Sequence, residues 1–231
     1  MSTTAPKKEN PLLNLVFNLI LPTTVLIWLS KDRLLGPFWG LIVALVFPLG
    51  YGIYDLAKRK KTNFLSILGF ASVLLSGGLA LLKVGGMWFA VKDATLPTLI
   101  GIAVLASLRS KNPLVRELFY NDQVIDVARI DAALAERGQV EHFERLLRRA
   151  SVGLALTFIA TAPVSFALAR YVLTAAPGTP DFNAQLGRLH WLVLPVVALP
   201  SVVALMIVFW RLLGGLSRLT GLTTDEIFRA E

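Results

Sequence analysis

A chain of 231 residues with 55% hydrophobic and 16% charged residues is committed almost entirely to an apolar solvent, with room for one helical membrane domain and no second globular one. The formal net charge of +8 would suit nucleic acid, but the lysines and arginines flank apolar stretches, where they read as topology signals and headgroup contacts. Cysteine is absent, which excludes disulfides, thiol catalysis, thiolate metal sites and iron–sulfur ligation together.

Six apolar stretches, at about 12–30, 36–57, 64–82, 88–108, 151–173 and 189–213, are each long enough to cross a bilayer as a helix. The first follows Lys7 and Lys8 like a signal peptide. It is too long for that role and ends in Trp28-Leu29-Ser30-Lys31-Asp32 without a small-residue cleavage site, so it reads as a retained span. In it, Asn14 and Asn18 lie at i, i+4 with Pro22 following on the same face, a polar stripe expected to face other helices. The second carries Pro48 and ends near Asp55, which is expected to pair locally with the basic run Lys58 to Lys61. The third contains Ser76-Gly77-Gly78, the fourth Lys92, Asp93 and Pro97, the fifth Pro163, and the sixth Pro195 and Pro200.

The polar insert at 109–149 predicts an amphipathic helical hairpin. Val127, Ile130 and Leu134 share one face, Gly138 ends the first helix, and Val140, Phe143 and Leu147 begin a second that runs into span five. Its apolar stripes would face lipid or the bundle, and covering the inner end of the bundle is its expected role. Binding a cytoplasmic partner is the alternative.

Two readings apply to the prolines. Each removes a helical hydrogen bond and kinks a helix that its neighbours repair, or the helices are interrupted to expose carbonyls to a solute, as in many transporters. Gly40, Gly50, Gly52, Gly69, Gly77, Gly78 and Gly101 would let helices approach closely, and Trp28, Trp39, Tyr51, Tyr54, Trp88 and Trp191 would form an interfacial belt. Leu21-Pro22-Thr23 and Leu96-Pro97-Thr98 form a faint internal echo, which between two three-span halves would be an inverted repeat.

Lys92 and Asp93 are the leading candidates for function, because a charge inside a span is costly. As sequence neighbours they point about 100° apart on a helix and are expected to be poor partners for each other. Asp32 or freed carbonyls would serve Lys92, and Arg188 or Lys31 would serve Asp93. The structural alternative has Lys92 reaching the interface and Asp93 capping a proline-broken half-helix. His142 and His190 fit no metal spacing, and no nucleophile elbow or phosphate loop is present, so no cofactor, metal ligand or catalytic residue is assigned.

Seventeen of the lysines and arginines fall in the tails and even-numbered loops, against Lys31, Arg33, Lys83, Arg170 and Arg188 in the odd ones. The positive-inside rule then places both termini in the cytoplasm. The segments Asp55 to Lys61, Ser66 to Phe70, Ser76 to Leu81, Trp88 to Thr98, Ser110 to Leu114 and Thr179 to Gly187 together resemble the intracellular septation protein A family and its six-span bacterial inner-membrane relatives. This chain has Lys92-Asp93 where those proteins tend to have Lys-Pro, and its insert is longer.

The resemblance implies an all-α polytopic bundle in the inner membrane and a non-enzymatic role in envelope maintenance or septation. The implied partners are membrane lipids and envelope or division proteins, with Lys92 the position carried over. A small secondary transporter and an accessory subunit of a membrane complex are the rival expectations, and homo-oligomerisation stays open.

Overall fold

The computed structural model describes residues 13, 15–59, 64–109, 114–120 and 125–228, excepting the side chains of 55–59, 64–72 and 117–119. All six apolar stretches are helical over their described parts. The elements are α1 (Val16–Leu29), α2 (Gly36–Arg59), α3 (Phe64–Leu81), α4 (Gly86–Ser107), α5 (Leu114–Phe119), α6 (Val127–Glu136), α7 (Val140–Val172), α8 (Pro180–Thr220) and α9 (Thr224–Ile227). Four of them, α2 (over Gly36–Tyr54), α4, α7 and α8, are long and apolar enough to cross a membrane, and α1 is a shorter apolar helix. Among the described residues there is no strand, only an isolated bridge between Ile125 and Phe228.

The prolines do not break these helices. Pro48, Pro97 and Pro163 lie inside uninterrupted α-helix. Pro22 lies in a short α segment, Leu21–Thr24, between the π-turns Val16–Ile20 and Val25–Leu29, and Pro195 lies in a third π-turn, Leu194–Ala198. A proline leaves the carbonyl four residues earlier without its donor, and a wider turn lets later amides reach back. In the two π-turns of α1, Leu21 N–H donates to Val16 O and Ser30 N–H donates to Val25 O at 3.1 Å.

The chain divides into two compact units, 1–93 with 165–195 and 94–164 with 196–231. In the first unit, Leu26, Leu41, Phe89, Ala90, Leu173 and Phe182 are buried together, with Phe89 and Phe182 meeting edge to face at 5.7 Å. Thr179 caps α8 by accepting from Phe182 N–H, and Pro180 follows at the first helical position, where its missing donor costs nothing. The buried Asn183 amide donates to Ser30 Oγ at 3.2 Å and Pro37 O at 2.7 Å, fastening α8 to the α1–α2 turn.

In the second unit Val127–Glu136 and Val140–Val172 are helical and joined at Gly138. Asp126 caps α6 by accepting from Arg129 N–H, and Gly138 (φ +64°) ends the α6 turn in the left-handed region. Ile130, Leu134, Phe143 and Leu147 are buried in a protein core with Leu212, Leu216 and Ile227, so these stripes face protein rather than lipid. Val140 departs from the expected stripe and is exposed, because it stands at the first turn of α7, short of that core. Helices α7 and α8 run antiparallel here. A Cβ on Gly215 would meet Leu146, one on Gly153 would meet Val208, and Thr161 Oγ1 lies 2.9 Å from Ser201 Oγ.

The glycines divide by what lies over them. Gly40, Gly77 and Gly101 press against Ser30, Leu45 and Ile159, as expected for close helix approach, whereas Gly50 and Gly78 face open space. Gly86, at the start of α4, sits against the Leu173 backbone carbonyl, which cannot swing away. Gly86→Ala is therefore expected to destabilise by about 1–3 kcal/mol through overpacking. Gly50→Ala should be neutral or stabilise by up to about 1 kcal/mol through helix propensity. Thermal unfolding of the two variants in detergent checks the pair, and equal midpoints would overturn this account of the close approach.

Candidate functional site

Lys92 is the seventh residue of α4, about 9 Å along it at 1.5 Å per residue. Its Nζ lies 2.6 Å from Asp93 Oδ1 and donates to Ser76 Oγ on α3 at 2.8 Å, with side chains 15% and 24% exposed for Lys92 and Asp93. The expectation that sequence neighbours make poor partners is overturned. The 100° offset separates their Cβ directions, but the lysine's four-carbon stem is long enough to fold across it.

The other expected arrangements are not seen. Asp32, Lys31 and Arg188 are exposed, and Lys31 sits over the Trp28 ring at 5.4 Å. Lys92 turns to α3 rather than to an interface, and α4 continues through Pro97, leaving Asp93 no half-helix to cap. The Lys92–Asp93 pair is neutral as a whole, and its serine partner ties α4 to α3.

Among the remaining candidates, Asn14 lies outside the described residues, and Asp55 is on α2 with its side chain likewise outside them. Asn18 is in the first π-turn with an exposed side chain, whereas Pro22, one turn on, is buried. The two therefore do not share the buried face expected of a stripe against other helices. The wider π-turn alters the angular spacing on which an i, i+4 stripe depends. Trp28, Trp39, Tyr54, Trp88 and Trp191 are exposed, whereas Tyr51 is partly buried and stacks on Phe17 at 5.7 Å. Among the described residues no three His, Cys, Asp or Glu side chains are grouped to hold a metal.

A cleft of about 170 Å³ opens between α7 and α8 in the second unit, lined by Thr157, Ala160, Thr161, Val197, Pro200 and Ser201 among others. Its hydroxyls are already engaged. Thr157 donates to Gly153 O at 3.0 Å, Thr161 to Thr157 O at 2.8 Å and Ser201 to Val197 O at 2.7 Å. The wall presented to a ligand is therefore mainly apolar.

Sequence reasoning also missed a C-terminal clasp. Gly221 (φ +73°) ends α8, Thr223 and Glu226 form a reciprocal capping box, and Asp126 N–H donates to Ile227 O at 3.0 Å. Ile227 is fully buried, and Arg129 bonds Glu226 at 2.5 Å. The Thr223-x-x-Glu226 spacing was the available signal.

No known family, curated protein or solved structure matches this chain.

A single change that strands Lys92 or Asp93 should destabilise more than their joint removal, because it leaves an uncompensated half-buried charge. In a double-mutant cycle of Lys92→Met and Asp93→Leu, the double variant should unfold at a higher temperature than either single one. Simple additivity would show that the pair is not coupled.

A pH dependence is expected of Glu226, held below the usual carboxylate range by the Thr223 amide, then by the Thr223 hydroxyl and Arg129. A depressed carboxyl contributes stability that is complete above its unfolded value and lost as pH falls through the folded one. The clasp should therefore persist through about pH 4.3, the ordinary glutamate value, and loosen only below it. Spin labels on cysteines placed at Ala128 and Asp225 should keep one distance down to that range, and Glu226→Ala should broaden it at every pH. Broadening of the unaltered clasp above that range would contradict the assignment.

Proposed function

We propose that this chain is a non-enzymatic six-span protein of a bacterial cytoplasmic membrane that serves envelope maintenance or septation through contacts with lipids and other proteins. Both termini and the 109–149 insert lie on the cytoplasmic side in this reading. The observation that carries it is the Lys92–Asp93–Ser76 contact: the charges on α4 are spent on each other and on a neighbouring helix, which suits a brace. Supporting it are the helicity of all six apolar stretches, the bias of lysine and arginine, and the resemblance of Trp88 to Thr98 to septation proteins.

A small transporter is the second reading, favoured by the cleft beside the Leu194–Ala198 π-turn, since such turns recur at functional sites. The accessory-subunit reading is weakened because the insert's main apolar residues are already buried in the second unit.

The native absence of cysteine allows a clean test. Single cysteines at Ala94, Thr161 and Ser165 should resist a membrane-impermeant thiol reagent from both sides. A cysteine at Gly138 should react only from the cytoplasmic side. Labelling at the first three positions that a solute blocks would replace the structural reading by transport, and labelling of Gly138 from outside would reverse the orientation. Deleting the protein from its own bacterium should produce filamentous or envelope-sensitive cells, and normal cells would sink the septation role.

A further inference from the structure

We propose that the groove between α7 and α8 is a seat for one anionic phospholipid, with its headgroup on a cluster of arginines and an acyl chain in the apolar cleft. The proposal rests on the reading above that α7 and α8 cross a membrane. Their contacts, Leu146 with Gly215, Gly153 with Val208 and Thr161 with Ser201, fix an antiparallel register. In that register Arg145, Arg148 and Arg149 of α7 stand at the same end of the pair as Arg211 and Arg218 of α8.

All five arginines are exposed. At 100° per residue, Arg145 and Arg149 of α7 lie about 60–100° and Arg211 and Arg218 of α8 about 40–60° from the shared contact line, on the same side of the pair, with Arg148 turned farther from it. Both faces continue as exposed apolar residues, Val152 and Leu156 on α7 and Ile207 and Trp210 on α8. A basic end leading into an apolar face is the pattern expected of a helix pair meeting a headgroup layer and then acyl chains.

Charge complementarity selects the occupant. Among the described residues, Arg145, Arg148, Arg149 and Arg211 have no carboxylate partner, while Arg218 donates Nε–H to Gly214 O at 3.2 Å. Of the nearby acids on α7, Glu144 is bound to Arg116 at 3.0 Å, leaving Glu141, which is exposed, to oppose the cluster. The guanidiniums offer forked donors suited to a phosphate.

Eleven residues farther along α7 from Arg149, or about 16 Å at 1.5 Å per residue, Ala160 lines the 170 Å³ cleft, facing Pro200 across it. The basic cluster and the apolar hollow thus lie along one groove, separated by a distance that an acyl chain spans. A soluble phosphate would use the first alone, and a zwitterionic lipid would gain little from unneutralised arginines.

The test uses the full-length protein, exchanged into equal phosphatidylglycerol and phosphatidylcholine, with retained lipid counted by native mass spectrometry. The unaltered protein should retain phosphatidylglycerol preferentially. Arg145→Gln, Arg149→Gln and Arg211→Gln should each reduce that preference by up to about fivefold. Arg33→Gln with Arg188→Gln should leave it unchanged. Ala160→Trp, which fills the cleft without altering charge, should reduce the number of phosphatidylglycerol molecules retained. Millimolar glycerol phosphate should not displace the lipid.

If the Arg145 or Arg211 variant unfolds, the Arg149→Gln protein carries the test. Equal retention of the two lipids, an unaffected preference in the arginine variants, unchanged retention with Ala160→Trp, or displacement by glycerol phosphate would each overturn the seat. Labelling of a Gly138 cysteine from outside, with phosphatidylglycerol still retained, would leave the seat standing and overturn only the orientation.

Discussion

A chain whose longest helices are apolar enough to cross a membrane must satisfy its polar groups from within, because hydrocarbon offers no donor or acceptor. Much of the local architecture answers to that constraint. It explains why helices carrying Pro48, Pro97 and Pro163 stay continuous. Hydroxyls near the prolines turn back onto their own helices: Thr98 onto Ala94 O, Thr161 onto Thr157 O and Ser201 onto Val197 O. Such back-bonding strains a helix in water but costs little where the alternative is an unpaired hydroxyl.

The same constraint explains what could be read from the residues. Apolar runs of helical length have one good solution in lipid, so the positions of the helices were legible. The α6–α7 hairpin was legible because Ile130, Leu134, Phe143 and Leu147 repeat at helical spacing around Gly138. Pairings were not legible, because nothing in a spacing rule reports how far a flexible side chain can bend. Lys92 illustrates this: its Cβ points away from that of Asp93, yet its ammonium reaches the carboxylate and Ser76 together. Asn183 was passed over because it sits within the resemblance phrase as one polar residue among many, and only the fold places Ser30 and Pro37 beside it.

The two units use polar groups differently. In the first, side-chain polarity ties turns and helices together, through Asn183 at the α1–α2 turn, Gln185 accepting from the Thr174 and Ala175 amides, and Lys92 at Ser76. In the second, apolar burial dominates, and charges lie around it as short exposed pairs such as Arg116–Glu144 and Arg129–Glu226. Exposed pairs contribute little individually. The clasp at 223–228 therefore depends chiefly on the burial of Ile227 and its backbone bonds, with Glu226 fixing the local geometry.

Thr23 shows where close packing and hydrogen bonding compete. It is 1% exposed, and its Oγ1 has no partner among the described residues, although most span hydroxyls here bond back one turn. Its own backbone carbonyl lies under Gly187 of α8, where a Cβ would crowd both that oxygen and Ile27. The approach permitted by Gly187 brings α8 directly onto the α1 backbone, near where Pro22 has already disturbed the ladder. An unpaired buried hydroxyl costs about 1–3 kcal/mol, and the tight helix packing at this crossing must offset it. Glycine at 187 and threonine at 23 are thus one arrangement: the missing side chain on α8 makes room for an approach so close that the hydroxyl beneath it is left without a partner.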